Sequence, residues 1–132
     1  LAYDFVKGVL LPEFMEKAKP EHIKKILMKA LEQCRVMDRL GISKEEMHRP
    51  YKHIVVTGEK EPVLLDFERA RKTENPHNVT QFCQYITSQK FGHLAGDRIQ
   101  IDSQSLRKLA GDYKKSLSEE DFSRIMETVR QS

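Results

Sequence analysis

The chain has 132 residues, a length suited to one domain, and 39% apolar, 33% charged and 8% aromatic residues describe a modest core under a hydrated surface. No run approaches the roughly 18–20 apolar residues of a membrane span; 6 Gly, 5 Pro and 2 Cys exclude collagen-like, low-complexity and disulfide-scaffold classes. A net charge of +3, from 23 basic and 20 acidic residues, does not by itself argue for nucleic acid.

The opening LAYDFVKGVLL lacks a basic n-region, so no signal peptide is expected, and the absent initiating Met suggests a start inside a longer protein. Leu1 to Val6 is rich in β-formers and reads as a strand end or extended connector, broken by Gly8. Pro12 to Ala18 suits a short helix with Pro12 in its first turn, and Pro20 opens the next one. That helix is the clearest element. Ile23, Ile26, Leu27, Ala30, Leu31, Cys34, Met37 and Leu40 recur at steps of three and four, and Gly41 supplies the stop. Its opposite face, with Lys24, Lys25, Lys29, Glu32 and Arg35, reads as basic and solvated.

Beyond Ser43 the helical stripe is lost, and EEMHRPYKH reads as a loop crowded with ionisable groups. His53–Thr57 and Pro62–Asp66 are strand candidates joined by Gly58 to Glu61 as a hairpin. Arg69 to His77 is polar and reads as another loop. Asn78 is placed to cap a helix carrying Val79, Phe82, Cys83 and Ile86, with Gln81 at the capping-box position; Gly92 and Gly96 close that region. Two further helices follow, Ser103 to about Ser116 and Ser118 to Arg130, the second with an acidic first turn. Cys34 and Cys83 both fall on apolar faces, as expected of buried reduced thiols in a cytoplasmic protein. The fold class is therefore α+β, mostly α: a long central helix, one short hairpin and C-terminal helices.

The chemistry concentrates around the hairpin. A hairpin returns the chain to its starting side, so His53 at its entrance and Asp66 at its exit become neighbours, with Glu46 and Lys52 within loop reach. Carboxylates presented in this way suit Mg²⁺, which takes few protein oxygens because substrate phosphates supply the rest. A cation such as Lys52 neutralises a transferring phosphoryl group. The alternative is a set of surface charges flanking a hairpin. Zinc on His48, His53, Asp66 and Glu68 lacks a Cys ligand or a tight His spacing.

The order of these pieces resembles the C-terminal lobe of the protein-kinase fold, in which a loop of the type H-x-D-L-x-x-x-N precedes two short strands and D-F-G. Here KEEMHRPYKHIVV is followed by VLLDFERA and NVTQF. The ordered set E-x-x-R-P-x-K-H-[IV], [IL]-DFE-x-A and NVTQF looks most like the predicted Ser/Thr protein kinases of archaea, a RIO-like atypical group. The resemblance covers roughly residues 1–90 and is tightest over 46–70 and 78–82. It implies a single domain over 1–132: a hinge-like segment (1–8), a central helix (20–40), a catalytic-loop-like segment with hairpin and DFE (43–70), and C-terminal helices (78–132).

By that resemblance Glu46 matches the catalytic Asp and would accept or orient the acceptor hydroxyl proton, while Lys52 serves the phosphoryl group. His53 matches the metal-binding Asn, with two extra residues separating it from Glu46. Asp66 matches the Asp that holds Mg²⁺, and Glu68 replaces the Gly. An alternative register, starting at His48-Arg49, puts Pro50 at the catalytic position and implies an inactive enzyme. Main-chain groups near Asp4, Phe5 and Val6 would meet the adenine of ATP, with Val55 as the pocket floor. The glycine-rich loop, the strand Lys and its Glu partner are absent and are expected in an N-lobe preceding Leu1. The resemblance thus implies an ATP- and Mg²⁺-dependent Ser/Thr kinase C-lobe, inert as a fragment, whose partners are the N-lobe and a protein substrate. The runner-up is a pseudokinase or scaffold that binds protein, RNA or ribonucleoprotein through Lys24, Lys25, Lys29, Arg69, Arg71 and Lys72.

Overall fold

A computed structural model of the chain describes residues 8–43, 54–58, 61–64 and 71–132. In chain order the elements are β1 (Gly8–Leu10), α1 (Leu11–Lys17), α2 (Pro20–Arg39), β2 (Ile42–Ser43), β3 (Ile54–Thr57), β4 (Pro62–Leu64) and β5 (Arg71–Lys72). The C-terminal part holds α3 (Asn78–Ile86), α4 (Gln89–Ala95), α5 (Ser103–Ser116) and α6 (Glu119–Arg130). The architecture is α+β and mostly α, as the patterning implies. No helix among the described residues is long and apolar enough to cross a membrane.

Helix α2 is the axis. Pro20 sits in its first turn, where a missing N–H costs nothing. Gly41, at φ +69°, takes the left-handed turn that ends it. Ile23, Ile26, Leu27, Ala30, Leu31, Cys34 and Met37 are buried along one stripe, packed by α3 and α6 and reached by β4. Each large aliphatic side chain buried there contributes about 1.5–3 kcal/mol. The opposite face departs from the solvated reading at two positions: Lys29 is paired with Glu61, and Arg35 is largely buried. Leu40 leaves the stripe and is 61% exposed, because the helix has already ended at Arg39.

The hairpin forms in the expected place. Ile54 pairs with Leu64, Val55 with Val63 and Val56 with Pro62, and β1 adds a third antiparallel strand, with Gly8 opposite Thr57 and Leu10 opposite Val55. Gly8 therefore does not break a strand; it belongs to one. A Cβ there would lie 2.2 Å from the Val56 carbonyl oxygen, so only glycine permits the approach. The outer edge of β4 is covered by α2: the Gln33 amide donates to the Pro62 carbonyl at 2.9 Å beside the Lys29–Glu61 ion pair.

Three further differences have local causes. Arg71–Lys72, expected as loop, pairs with Ile42–Ser43 in a two-residue ladder. Gly92 does not close a helix; it lies within α4, which Ser88 caps and which buries Phe91 and Ala95 one turn apart. Asn78 is not a cap but the first residue of α3, and the capping oxygen comes from another helix.

That oxygen belongs to Asp38, 5% exposed at the end of α2. Its Oδ1 accepts from the Asn78 N–H at 3.0 Å and from Asn78 Nδ2 at 2.9 Å. Its Oδ2 accepts from the Val79 N–H at 3.4 Å and from the Tyr113 hydroxyl at 2.7 Å. Asn78 Nδ2 also donates to the Ile42 carbonyl at 2.6 Å. Arg35 completes the set, donating from Nη1 to the Tyr113 hydroxyl and to the Leu117 carbonyl, both at 3.1 Å. Removing the carboxylate strands several buried donors at once. Asp38→Ala is expected to lower unfolding free energy by about 3 kcal/mol in urea titrations. Glu119→Ala, at the exposed end of the Arg35 contacts, should cost under about 1 kcal/mol. Gly8→Ala should cost about 1–3 kcal/mol by forcing β1 off β3.

Candidate functional site

Of the residues singled out for chemistry, Val55 lies among the described residues. Asp4, Phe5, Val6, Glu46, Lys52, His53 and Asp66 lie outside them, as do His48, Pro50 and Glu68. What the fold does place is the set of anchors from which their segments leave.

Segment 44–53 leaves β2 after Ser43 and enters β3 at Ile54. Segment 65–70 leaves β4 after Leu64 and enters β5 at Arg71. Ser43 is paired with Arg71, and Ile54 with Leu64. Both segments therefore begin and end side by side on two antiparallel ladders. Thr73 N–H donating to the Gly41 carbonyl at 2.7 Å extends the first ladder toward α2. The Asn78 bond to the Ile42 carbonyl fixes β2 to the buried Asp38 cluster.

Val55 sits on the sheet face opposite the core. Ile54 and Val56 are fully buried, so the period of two turns Val55 and Thr57 to the other side, where both are half-buried. Directly opposite Val55 is Leu10, 43% exposed. Gly8 lies opposite Thr57 on the same face, and a Cβ there would come within 2.9 Å of Val55 Cγ1. The missing side chain leaves a flat apolar surface at Val55 and Leu10, next to the point where segment 1–7 joins β1.

No group of three or more His, Cys, Asp or Glu side chains suited to a metal occurs among the described residues. The two thiols are core groups. Burial pushes the Cys83 thiol up to about 12 and raises Cys34 well above its ordinary value of 9.0, with the Asp38 charge adding to both. A thiol so protonated is neither nucleophile nor ligand. Burial, then the bond to Asp38, likewise raises the Tyr113 phenol above its ordinary 10.0.

Reading the sequence missed Asp38, Tyr113 and Arg35 as one cluster. The available signal was a carboxylate one turn after Cys34 on an otherwise apolar stripe. It also missed a groove between α3 and α5, about 420 Å³ in volume, where Arg107 and Lys114 stand beside Thr80 and Gln84. Comparison of the chain with protein-family models, curated proteins and solved structures returns no match.

The thiols and the phenol all hold their protons more tightly folded than unfolded. The stability they lend is complete below the unfolded values, near 9.0 for the thiols and 10.0 for the phenol, and is lost as pH rises beyond them. Urea midpoints should therefore fall steadily above pH 9, and less steeply in Tyr113→Phe. At pH 8 an aromatic disulfide reagent should leave both thiols untouched until the chain unfolds.

Proposed function

We propose that the chain is the C-lobe-like half of a RIO-like atypical Ser/Thr kinase, transferring the γ-phosphoryl group of ATP to a hydroxyl in a cytoplasmic protein that also carries an N-lobe. The observation that supports this reading most is the double anchoring of segments 44–53 and 65–70. A phosphotransfer centre needs the group that handles the acceptor hydroxyl and the group that holds the metal in one cleft. Glu46 and Asp66 belong to the two segments that the ladders start and finish side by side. The apolar Val55–Leu10 face adds a surface suited to a flat aromatic base, joined to the hinge-like segment that contains Asp4, Phe5 and Val6.

In this reading Asp66, with His53, binds Mg²⁺, which neutralises phosphate charge when bound. Lys52 stands near the transferring group, and Glu46 takes or orients the proton of the acceptor hydroxyl. The long side chain of Glu46, the His in place of Asn and Glu68 in place of Gly favour a second reading. A lobe that has lost the chemistry would act as a pseudokinase or scaffold for a protein or RNA. Val36 on α2 and Leu40 just past its end, one turn apart and more than half exposed, offer it a contact patch. Lys29 is already paired with Glu61, which weakens the basic surface an RNA partner would use.

In the protein carrying both lobes, Asp66→Asn should weaken Mg²⁺-dependent nucleotide binding and turnover together. Glu46→Gln should leave nucleotide affinity nearly unchanged and lower kcat about 10²–10⁴-fold. Calorimetry of residues 1–132 alone should find weak or undetectable ATP binding. Full phosphotransfer by Glu46→Gln would overturn its role. A parent that transfers no phosphate yet binds a macromolecule would install the scaffold reading.

A further inference from the structure

The groove between α3 and α5 uses none of the residues of the phosphotransfer reading. Its walls are two helical stripes. Thr80 and Gln84 stand on α3 and Thr87 caps its end, at steps of four and three, and Arg107, Gly111 and Lys114 stand on α5 at the same steps. Arg107 Nη2 donates to the Thr87 carbonyl at 3.1 Å, which fixes one end of the groove. Cys83 and Ala110, both buried, form its floor. The volume, about 420 Å³, falls in the range of small-molecule sites.

Three observations point to one ligand chemistry. None of the eight lining residues is acidic, while two are cationic and Thr80 and Gln84 carry a hydroxyl and an amide donor; the Thr87 hydroxyl is committed to the Cys83 carbonyl at 2.9 Å. Neither Arg107 nor Lys114 has an ion-pair partner among the described residues, although this chain pairs Lys29, Arg35, Arg124 and Arg130 with carboxylates. The Thr80 hydroxyl is buried with no hydrogen-bond partner among the described residues, a deficit that proteins seldom leave.

Gly111 adds a fourth. Glycine within a helix costs about 1 kcal/mol relative to alanine. A Cβ at Gly111 would meet nothing within 4 Å, so no packing inside the chain requires the gap. The gap lies midway between Arg107 and Lys114 and opens the groove to a ligand that approaches the α5 backbone.

We propose that the α3–α5 groove binds a phosphoryl group, held between the Arg107 guanidinium and the Lys114 ammonium, with the Thr80 hydroxyl, once turned from its buried position into the groove, as a further donor. Two cations match a dianion, and a guanidinium fork with a hydroxyl and an ammonium suits the three terminal oxygens of a phosphoryl group better than it suits a carboxylate's two. The source is either free inorganic phosphate or a small phosphate ester, and both share this recognition.

The test is an NMR titration of the ¹⁵N-labelled 132-residue chain with inorganic phosphate and, separately, O-phosphoserine, each against chloride at matched ionic strength. Saturable shifts at Thr80, Gln84, Gly111 and Lys114 are expected with phosphate and not with chloride. Lys114→Gln, at an exposed position with no side-chain hydrogen bond or ion pair among the described residues, should weaken binding about tenfold or more, and Lys114→Arg should restore most of it. Gly111→Leu should keep the fold and fill the groove, abolishing binding. Tighter binding of O-phosphoserine supports the proposal and marks an ester as the source; tighter binding of inorganic phosphate supports it and marks the free ion. Shifts that chloride reproduces, or affinity unchanged in both Lys114→Gln and Gly111→Leu, would overturn it.

Discussion

A carboxylate with almost no access to water stands where three helices and a strand meet. Asp38 ends α2, supplies the capping oxygen for α3, accepts the Tyr113 hydroxyl from α5, and through Asn78 reaches the Ile42 carbonyl of β2. An unpaired charge at such depth would be prohibitive, so each of these donors is required rather than optional. The same requirement orders them in space. α3 can begin only where its first N–H groups reach Asp38, and α5 only where its phenol does. Arg35, one turn earlier on α2, backs the phenol and holds the Leu117 carbonyl at the point where α5 turns through a left-handed residue.

From this cluster the placement of the segment anchors follows. Asn78 holds β2, β2 holds β5, and together they gather the two ends of the 44–70 excursion at one place. At its far side the excursion is gathered again by the β3–β4 pairing, whose outer edge α2 grips through Lys29 and Gln33. Helix α2 thus controls both ladders, one from its C-terminal end and the other from its middle. The anchors of both segments are thereby tied to one helix.

The two proposed sites rest on different physics. The phosphotransfer reading depends on chain topology, which brings two acid-bearing segments to common anchors. The groove depends on an imbalance of charge and hydrogen bonding: cations without carboxylates, a buried hydroxyl without a partner, and a helical glycine without a packing reason. Both glycines that shape these surfaces act by omission. Gly8 lets β1 close on β3 and leaves Val55 half-buried, whereas Gly111 leaves a gap in the α5 wall of the groove.

The helices were legible because their information is local. The stripe from Ile23 to Met37, the Ser118 cap with its acidic first turn and the stop at Gly41 each lie within a few residues, and α2, α5 and α6 appear where those signals put them. The hairpin was legible for the same reason, through two apolar runs and a short turn. Local patterning could not show pairings between residues far apart in sequence. Gly8 reads as a breaker until β3 lies beside it, and Arg71–Lys72 reads as loop until β2 supplies partners. Asn78 has the chemistry of a cap, but a carboxylate forty residues earlier takes that role because burial demands it. Composition and periodicity determined the fold class and the central helix. Only the tertiary structure decided which polar groups are paired, since a hydrogen bond between distant residues exists in space and leaves no period in the chain.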